Sequence, residues 1–335
     1  MALNEAINRK LSESASQVDQ YIYELLKPRK PEALYEASRH IFQAGGKRLR
    51  PYLVLKSCEL VGGDPDVALP FAAAMEILHN FTLVHDDIMD NDALRRGAPT
   101  VHAKWGVPVA IASGDLLFAK VYEAIVRASI EGNLTCDNVL ACIERVNYAT
   151  MAICEGQVLD VTYPRTVDVS EEDYVFMVGG KTSALFKACA EVGAIIGGGD
   201  SEQVERVGSF AWNAGIAFQI VDDILGATAD EKTLGKPVGS DLREGKKTLI
   251  VIHALENATS EGRDAILKVL DVEDATPSEI KAATKALVDS GAINYAKERA
   301  ENCAGRAKEM LEIFPDSVAK NDLLELVEYF TQRTF

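Results

Sequence analysis

Apolar positions recur along this chain at the three- and four-residue spacing of a helix almost from end to end, and alternating strand-like runs are scarce. Gly, Pro, Asp and Asn interrupt the pattern near residues 27–31, 45–46, 62–65, 97–99, 106–108, 132–133, 197–200 and 226–240. Between these breaks lie segments of roughly 12–28 residues, longer than an average globular helix. The pattern predicts an all-α chain of about ten or more helices. No composition shift marks a linker, and no internal repeat is visible. Residues 1–335 therefore read as a single domain, a helical bundle. Two segments, 67–89 and 207–225, are apolar on nearly every side. A helix of that kind belongs at the centre of a large bundle.

Both central segments end in carboxylates. The first closes on HDDIMD, with Asp86, Asp87 and Asp90. Residues four apart share a helix face, so Asp86 and Asp90 point the same way and Asp87 is turned by about 100°. The second closes on FQIVDDILG, which places Gln219, Asp222 and Asp223 on one face. Like charges this close repel, and burying them unpaired is expensive, so cations must offset them. Oxygen donors without His or Cys suit a hard ion such as Mg²⁺, which completes its shell with water and phosphate. An isolated DDxxD is often only a solvated helix end; two such clusters, each closing an apolar helix, point to metal.

Composition narrows the chemistry. The chain carries 35 Lys+Arg against 51 Asp+Glu, a net charge of −16, which excludes a general nucleic-acid binder. Six scattered cysteines without metal spacing read as small buried hydrophobes in a reducing compartment. The N-terminus lacks an apolar signal core, and the longest uncharged stretch, 207–221, is shorter than the roughly 20 residues of a membrane span. A soluble, cytoplasmic protein that does not span a membrane is expected. Against this acidity the basic residues stand out: GGKRLRP (Lys47, Arg48, Arg50), RRG (Arg95, Arg96), GGKT (Lys181, Thr182), and Lys232, Lys236, Arg243, Lys246 and Lys247 after the second cluster. Metal-binding carboxylates beside Lys and Arg are the combination that binds diphosphates. Two basic sets suggest two anionic substrates, one held through metal and one by Lys and Arg alone.

GGKRLRP, HNFTLVHDDIMDNDALRRGAPT, EGQVLD, GGKTSALF, FQIVDDILG and GKPVGSDLREGKKT follow the order and spacing of the trans-isoprenyl diphosphate synthase family, from residue 45 to residue 248. The chain resembles most closely the short-chain archaeal-type geranylgeranyl diphosphate synthases. That resemblance implies the type I isoprenoid synthase fold around a central cavity, a homodimer, about three Mg²⁺ ions per site, and head-to-tail condensation of isopentenyl diphosphate onto an allylic diphosphate. It also implies roles by motif. Lys47, Arg50, His79 and Arg96 resemble the isopentenyl diphosphate site. Arg95, Lys181, Thr182, Gln219, Lys236 and Lys246 resemble the allylic site. Asp86, Asp90, Asp222 and Asp241 resemble the metal ligands, with Lys181, Asp86 and Asp222 closest to the chemistry. One departure stands out, since Gly226 replaces the last Asp of the second DDxxD.

Phe81, the fifth residue before Asp86, lies roughly 7.5 Å along the helix from it and resembles the floor that stops a geranylgeranyl chain. Its competing role is ordinary core packing. Farnesyl or geranylfarnesyl diphosphate are the alternative products. A terpene cyclase would lack the GGKRLRP turn, and a non-catalytic regulatory subunit of a related synthase would have lost the acidic motifs.

Overall fold

The helical periodicity is realised along nearly the whole described chain. The structure is a computed structural model, and it describes residues 2–166, 168–228, 240–272 and 274–332. In chain order the helices are α1 (Ala2–Leu25), α2 (Glu32–Gln43), α3 (Leu49–Leu60), α4 (Pro65–Met89), α5 (Val101–Trp105), α6 (Val107–Glu131), α7 (Cys136–Thr162), α8 (Glu171–Val178) and α9 (Ala184–Ile196). They continue with α10 (Ser201–Thr228), α11 (Ser240–Arg243), α12 (Leu249–Asn257), α13 (Ser260–Leu267), α14 (Pro277–Asp289), α15 (Ala292–Met310) and α16 (Val318–Thr331). Local chemistry sets several starts. Asp64 accepts from the Asp66 N–H at 2.9 Å with Pro65 as the first helical residue of α4, and capping boxes pair Ser170 with Asp173 and Thr276 with Glu279.

The chain divides into two compact units. One comprises Met1–Asn147, Ala188–Gly208 and Ile313–Glu325. Its centre is α4, where Phe71, Met75, Ile77, Leu78 and Val84 are buried, each contributing about 1.5–3 kcal/mol by leaving water. By length and composition α4 could cross a membrane, but 67% of that apolar stretch is buried inside the protein. Helix α9 contributes its second half here, and it approaches α3 so closely that a Cβ on Gly193 would lie 2.1 Å from the Val54 carbonyl oxygen.

The other unit comprises Tyr148–Lys187, Ser209–Glu312 and Leu326–Phe335. Its core includes the α10 side chains Phe210, Ala214, Ala217, Ile220 and Ile224. The rings of Phe186, Phe218 and Phe330 cluster there at 4.9–5.8 Å between centroids, an aromatic packing distance. Both segments that the sequence reads as central are thus core helices.

Three local features depart from the sequence reading. A short antiparallel pair, β1 (Leu94–Arg95) and β2 (Ala98–Pro99), interrupts the helices. Its two-residue turn, Arg96–Gly97, has φ of 52° and 77°, the left-handed geometry that matches strand twist. Two-residue strands leave no alternating pattern to read. Next, Gly179–Ser183, which carry GGKT, form one π-helical turn that joins α8 to α9, a form the 3.6-residue pattern does not mark. Glycine is required there, because a Cβ on Gly179 would meet the Trp212 ring at 2.8 Å. Finally, Gly226 does not end its helix, which runs on to Thr228.

These contacts give opposite signs for two alanine substitutions. Gly193→Ala should destabilise by about 1–3 kcal/mol through overpacking against α3. Gly305→Ala, in the middle of α15 with open space around its Cβ position, should stabilise by about 0.5–1 kcal/mol. Thermal melts of both variants check the pair; a stabilised Gly193→Ala would contradict the packing.

Candidate active site

In the first unit the GGKRLRP turn lies between α2 and α3. Lys47 is exposed there, and Arg50 sits half-buried in the first turn of α3. Arg96 reaches the turn from the hairpin and donates through Nη1 to the Gly45 carbonyl. A Cβ on Gly46 would lie 2.6 Å from Arg96 Nη1 and 3.0 Å from Arg48 Nη1, so only glycine lets both guanidinium groups approach. Burial pushes the Arg50 and Arg96 guanidinium groups down, and Glu76 opposes that in both. His79 of α4 belongs to the same cluster. Burial, followed by the charges of Arg50, Arg96, Arg95 and Arg48, holds its imidazole well below the ordinary range, so it is neutral at physiological pH. The structure brings Arg50, His79 and Arg96 into one electrostatic cluster beside the turn that carries Lys47. Sequence reasoning does not find Glu76, although it is the one charged side chain in the apolar run 67–84.

The first acidic cluster divides as helical phase requires. Asp87 is buried, and its Oδ1 accepts from Arg95 Nε at 2.6 Å and Nη2 at 2.5 Å. Burial raises the Asp87 carboxyl, and Arg95 opposes the rise. Asp86 and Asp90 lie one turn apart on another face, with the Asp90 N–H bonded to the Asp86 carbonyl at 2.8 Å. Asp90 is exposed. Arg95, expected at the allylic diphosphate, is here the counter-ion of Asp87.

The second unit repeats this division. Asp223 is held on both oxygens: Tyr174 OH donates to Oδ2 at 2.6 Å and Gln219 Nε2 to Oδ1 at 2.9 Å. Thr182 Oγ1 in turn donates to Gln219 Oε1 at 3.0 Å. Burial pushes the Asp223 carboxyl up to about 7 against those two hydrogen bonds, with Asp241 and Asp222 adding to the rise. Asp222, by contrast, is exposed. The Asp241 carboxylate occupies the space that a side chain at position 226 would take, since a Cβ on Gly226 would lie 2.5 Å from Asp241 Oδ2. The glycine that breaks the DDxxD pattern thus makes room for another carboxylate.

Two lysines complete this unit's site. Lys181 Nζ, on the π-helical turn, donates to Asp160 Oδ2 at 2.5 Å. A Cβ on Gly156 would lie 2.3 Å from the Lys181 backbone nitrogen, so α7 and the turn fit only through that glycine. Burial disfavours the Lys246 charge, but Glu244, Asp241 and Asp160 outweigh it and raise its ammonium above the ordinary range. Lys232 and Lys236 lie outside the described residues. Sequence reasoning does not single out Asp160 or Tyr174. Asp160 closes EGQVLD, and its nearness to both lysines is a tertiary fact that no spacing encodes.

Among the described residues, no three His, Cys, Asp or Glu side chains are gathered as a ready metal cage. Oxygen-only donors in small groups fit Mg²⁺, which is held by one or two carboxylates plus substrate phosphates and water. The residues that could hold it are Asp86 and Asp90 in one unit and Asp222 and Asp241 in the other.

Comparison with known proteins places this geometry in a lineage. The short chain isoprenyl diphosphate synthase of Methanothermobacter thermautotrophicus is 42% identical over 98% of both chains. The geranylgeranyl diphosphate synthase of Saccharolobus solfataricus is 44% identical over 90% of this chain and 91% of that one. Among solved structures, the geranylgeranyl pyrophosphate synthetase of Pyrococcus horikoshii superposes with a TM-score of 0.92 at 45% identity, covering 99% of each chain. Residues 31–287 match the family model described as polyprenyl synthetase, and the chain belongs to that family.

Proposed function

We propose that this protein is a trans-prenyltransferase that condenses isopentenyl diphosphate head to tail with dimethylallyl, geranyl or farnesyl diphosphate, with geranylgeranyl diphosphate as the main product. Membership of the polyprenyl synthetase family supports the reaction class. One observation carries the reading of the residues. Each Asp-Asp doublet turns one carboxylate inward onto a protein partner, Asp87 onto Arg95 and Asp223 onto Tyr174 and Gln219. The remaining acids, Asp86, Asp90, Asp222 and Asp241, are the Mg²⁺ ligands of this proposal.

In the reaction the allylic C–O bond breaks and pyrophosphate leaves with the electron pair. The isopentenyl double bond then attacks the allylic carbon, and the released pyrophosphate takes the proton lost from the adjacent carbon. Bound Mg²⁺ supplies positive charge to the departing oxygens. Lys181 and Lys246 bind the same diphosphate; Asp160 aims Lys181, and Glu244, Asp241 and Asp160 favour the charged form of Lys246. Thr182 and Gln219 orient Asp223 beside Asp222. Lys47, Arg50 and Arg96 bind isopentenyl diphosphate without metal, and neutral His79 adds a hydrogen bond.

The working protein is proposed to be a soluble, cytoplasmic homodimer. The exposed apolar side chains of Val107, Ile111, Val126 and Ile130 along α6 support a covered face. An arrangement of this kind would leave α4 inside each subunit.

Incubation with labelled isopentenyl diphosphate and each allylic primer tests the activity. Elongation is expected with Mg²⁺ and not with a chelator. Asp86→Ala should lower turnover by several orders of magnitude with the melting temperature retained, since it removes a repulsive acid as well as a ligand. Near-normal turnover in that variant sinks the metal assignment.

Product length is proposed to be set at Phe81. Its ring packs at 5.0 Å from His85 and 5.2 Å from Phe118, which in turn meets Tyr122 at 5.3 Å. A ring braced in this way can block a growing chain. Phe81→Ala should shift the main product beyond geranylgeranyl, read by chromatography of the dephosphorylated alcohols. An unchanged length means the floor lies elsewhere.

A further inference from the structure

We propose that Asp19 of α1, acting through Arg48, is a positioning residue for the basic turn that binds isopentenyl diphosphate. The inference rests on the reading of that turn given above, yet Asp19 precedes the segment that matches the family model.

Arg48 sits between Lys47 and the first turn of α3 in a left-handed conformation, φ 49° and ψ 42°. Such a backbone is unfavourable for a residue with a Cβ, by about 1–2 kcal/mol, and persists only where its surroundings hold it. Here the side chain does the holding. Its Nε donates to Asp19 Oδ1 at 2.8 Å, Nη1 to Glu76 Oε1 at 3.0 Å, and Nη2 to the Phe42 carbonyl at 3.2 Å. A longer contact runs from Nη1 to the Gly45 carbonyl at 3.4 Å, and the guanidinium lies 5.8 Å from the Phe42 ring centroid. Arg48 is only 3% exposed, so these bonds face protein and not solvent. Its place in the chain sets the direction in which backbone leaves Lys47 and delivers Arg50. A shift of Arg48 would move both.

Within this arrangement Glu76 is fixed. It also accepts from Asn80 Nδ2 at 2.9 Å and lies inside the core of α4. Asp19 is the carboxylate partner that reaches Arg48 from the partly exposed helix α1. Helix α1 is itself anchored nine residues earlier, where Lys10 Nζ donates to Asp322 Oδ1 and Glu325 Oε2, both at 2.6 Å. Asp322 is shared with Lys56 of α3 at 3.1 Å. A helix tied to α16, and through Asp322 to α3, at one point and to the α3 N-cap at another acts as a strut under the turn.

Asp19→Asn keeps the volume and removes the charge, and its side chain is 32% exposed, so the variant should fold. The expected result is a rise of about tenfold in KM for isopentenyl diphosphate, with KM for the allylic substrate within about twofold of normal and kcat little changed. Asp19→Glu should recover part of the loss. A merely structural role would lower the melting temperature without separating the two KM values. Equal changes in both, no change, or tighter isopentenyl binding in Asp19→Asn would overturn the proposal. Lys47→Ala distinguishes this from failure of the underlying reading: if that variant binds isopentenyl diphosphate normally, the site itself is elsewhere.

Discussion

Adjacent aspartates at the end of an apolar helix repel each other and resist burial, and the charged architecture of this protein follows from how that repulsion is relieved. In each doublet the second acid turns inward. Asp87 takes a guanidinium from Arg95, and Asp223 takes a phenol and an amide. Neutral donors leave Asp223 less well compensated than Asp87, and its carboxyl rises to about 7. The neighbouring carboxylates Asp86, Asp90, Asp222 and Asp241 are the ones proposed to hold a divalent cation.

The cations obey the same constraint. A buried guanidinium or ammonium requires partners that do not cancel its use. Arg48 is fully occupied by protein groups and serves the backbone, whereas Arg50 and Arg96 share Glu76 as a more distant counter-charge. Lys181 pairs with Asp160, and Lys246 lies in the field of Glu244, Asp241 and Asp160; a diphosphate, carrying more charge, can compete for both lysines. Glycines complete the arrangement. At Gly46 a Cβ would collide with the Arg96 and Arg48 side chains, at Gly156 with the Lys181 backbone, and at Gly226 with Asp241.

Much of this arrangement is legible in the amino-acid sequence. The helical phase of HDDIMD separates Asp87 from Asp86 and Asp90, and the all-round apolarity of 67–89 and 207–225 marks the buried helices. The parts that are not legible share a physical cause. Asp160, Tyr174, Glu76 and Asp19 act through neighbours 21 to 49 residues away in sequence, as in Lys181–Asp160 and Tyr174–Asp223, and no local period encodes such a pairing. The hairpin that delivers Arg95 and Arg96 is too short to show alternation. The π-helical turn at Gly179–Ser183 leaves no periodic signal, because its glycines serve close packing, Gly179 against Trp212 and Gly180 against the Ala152 carbonyl.

The central claim is that one diphosphate is bound by basic residues alone and the other through carboxylates that need a metal. Ligand-induced shifts in melting temperature, measured with isopentenyl diphosphate and with an unreactive allylic diphosphate analogue, each in Mg²⁺ and in chelator, test it most directly. Isopentenyl diphosphate should raise the melting temperature under both conditions, and the allylic analogue only with Mg²⁺. Stabilisation by both ligands in chelator, or by neither, would contradict the account.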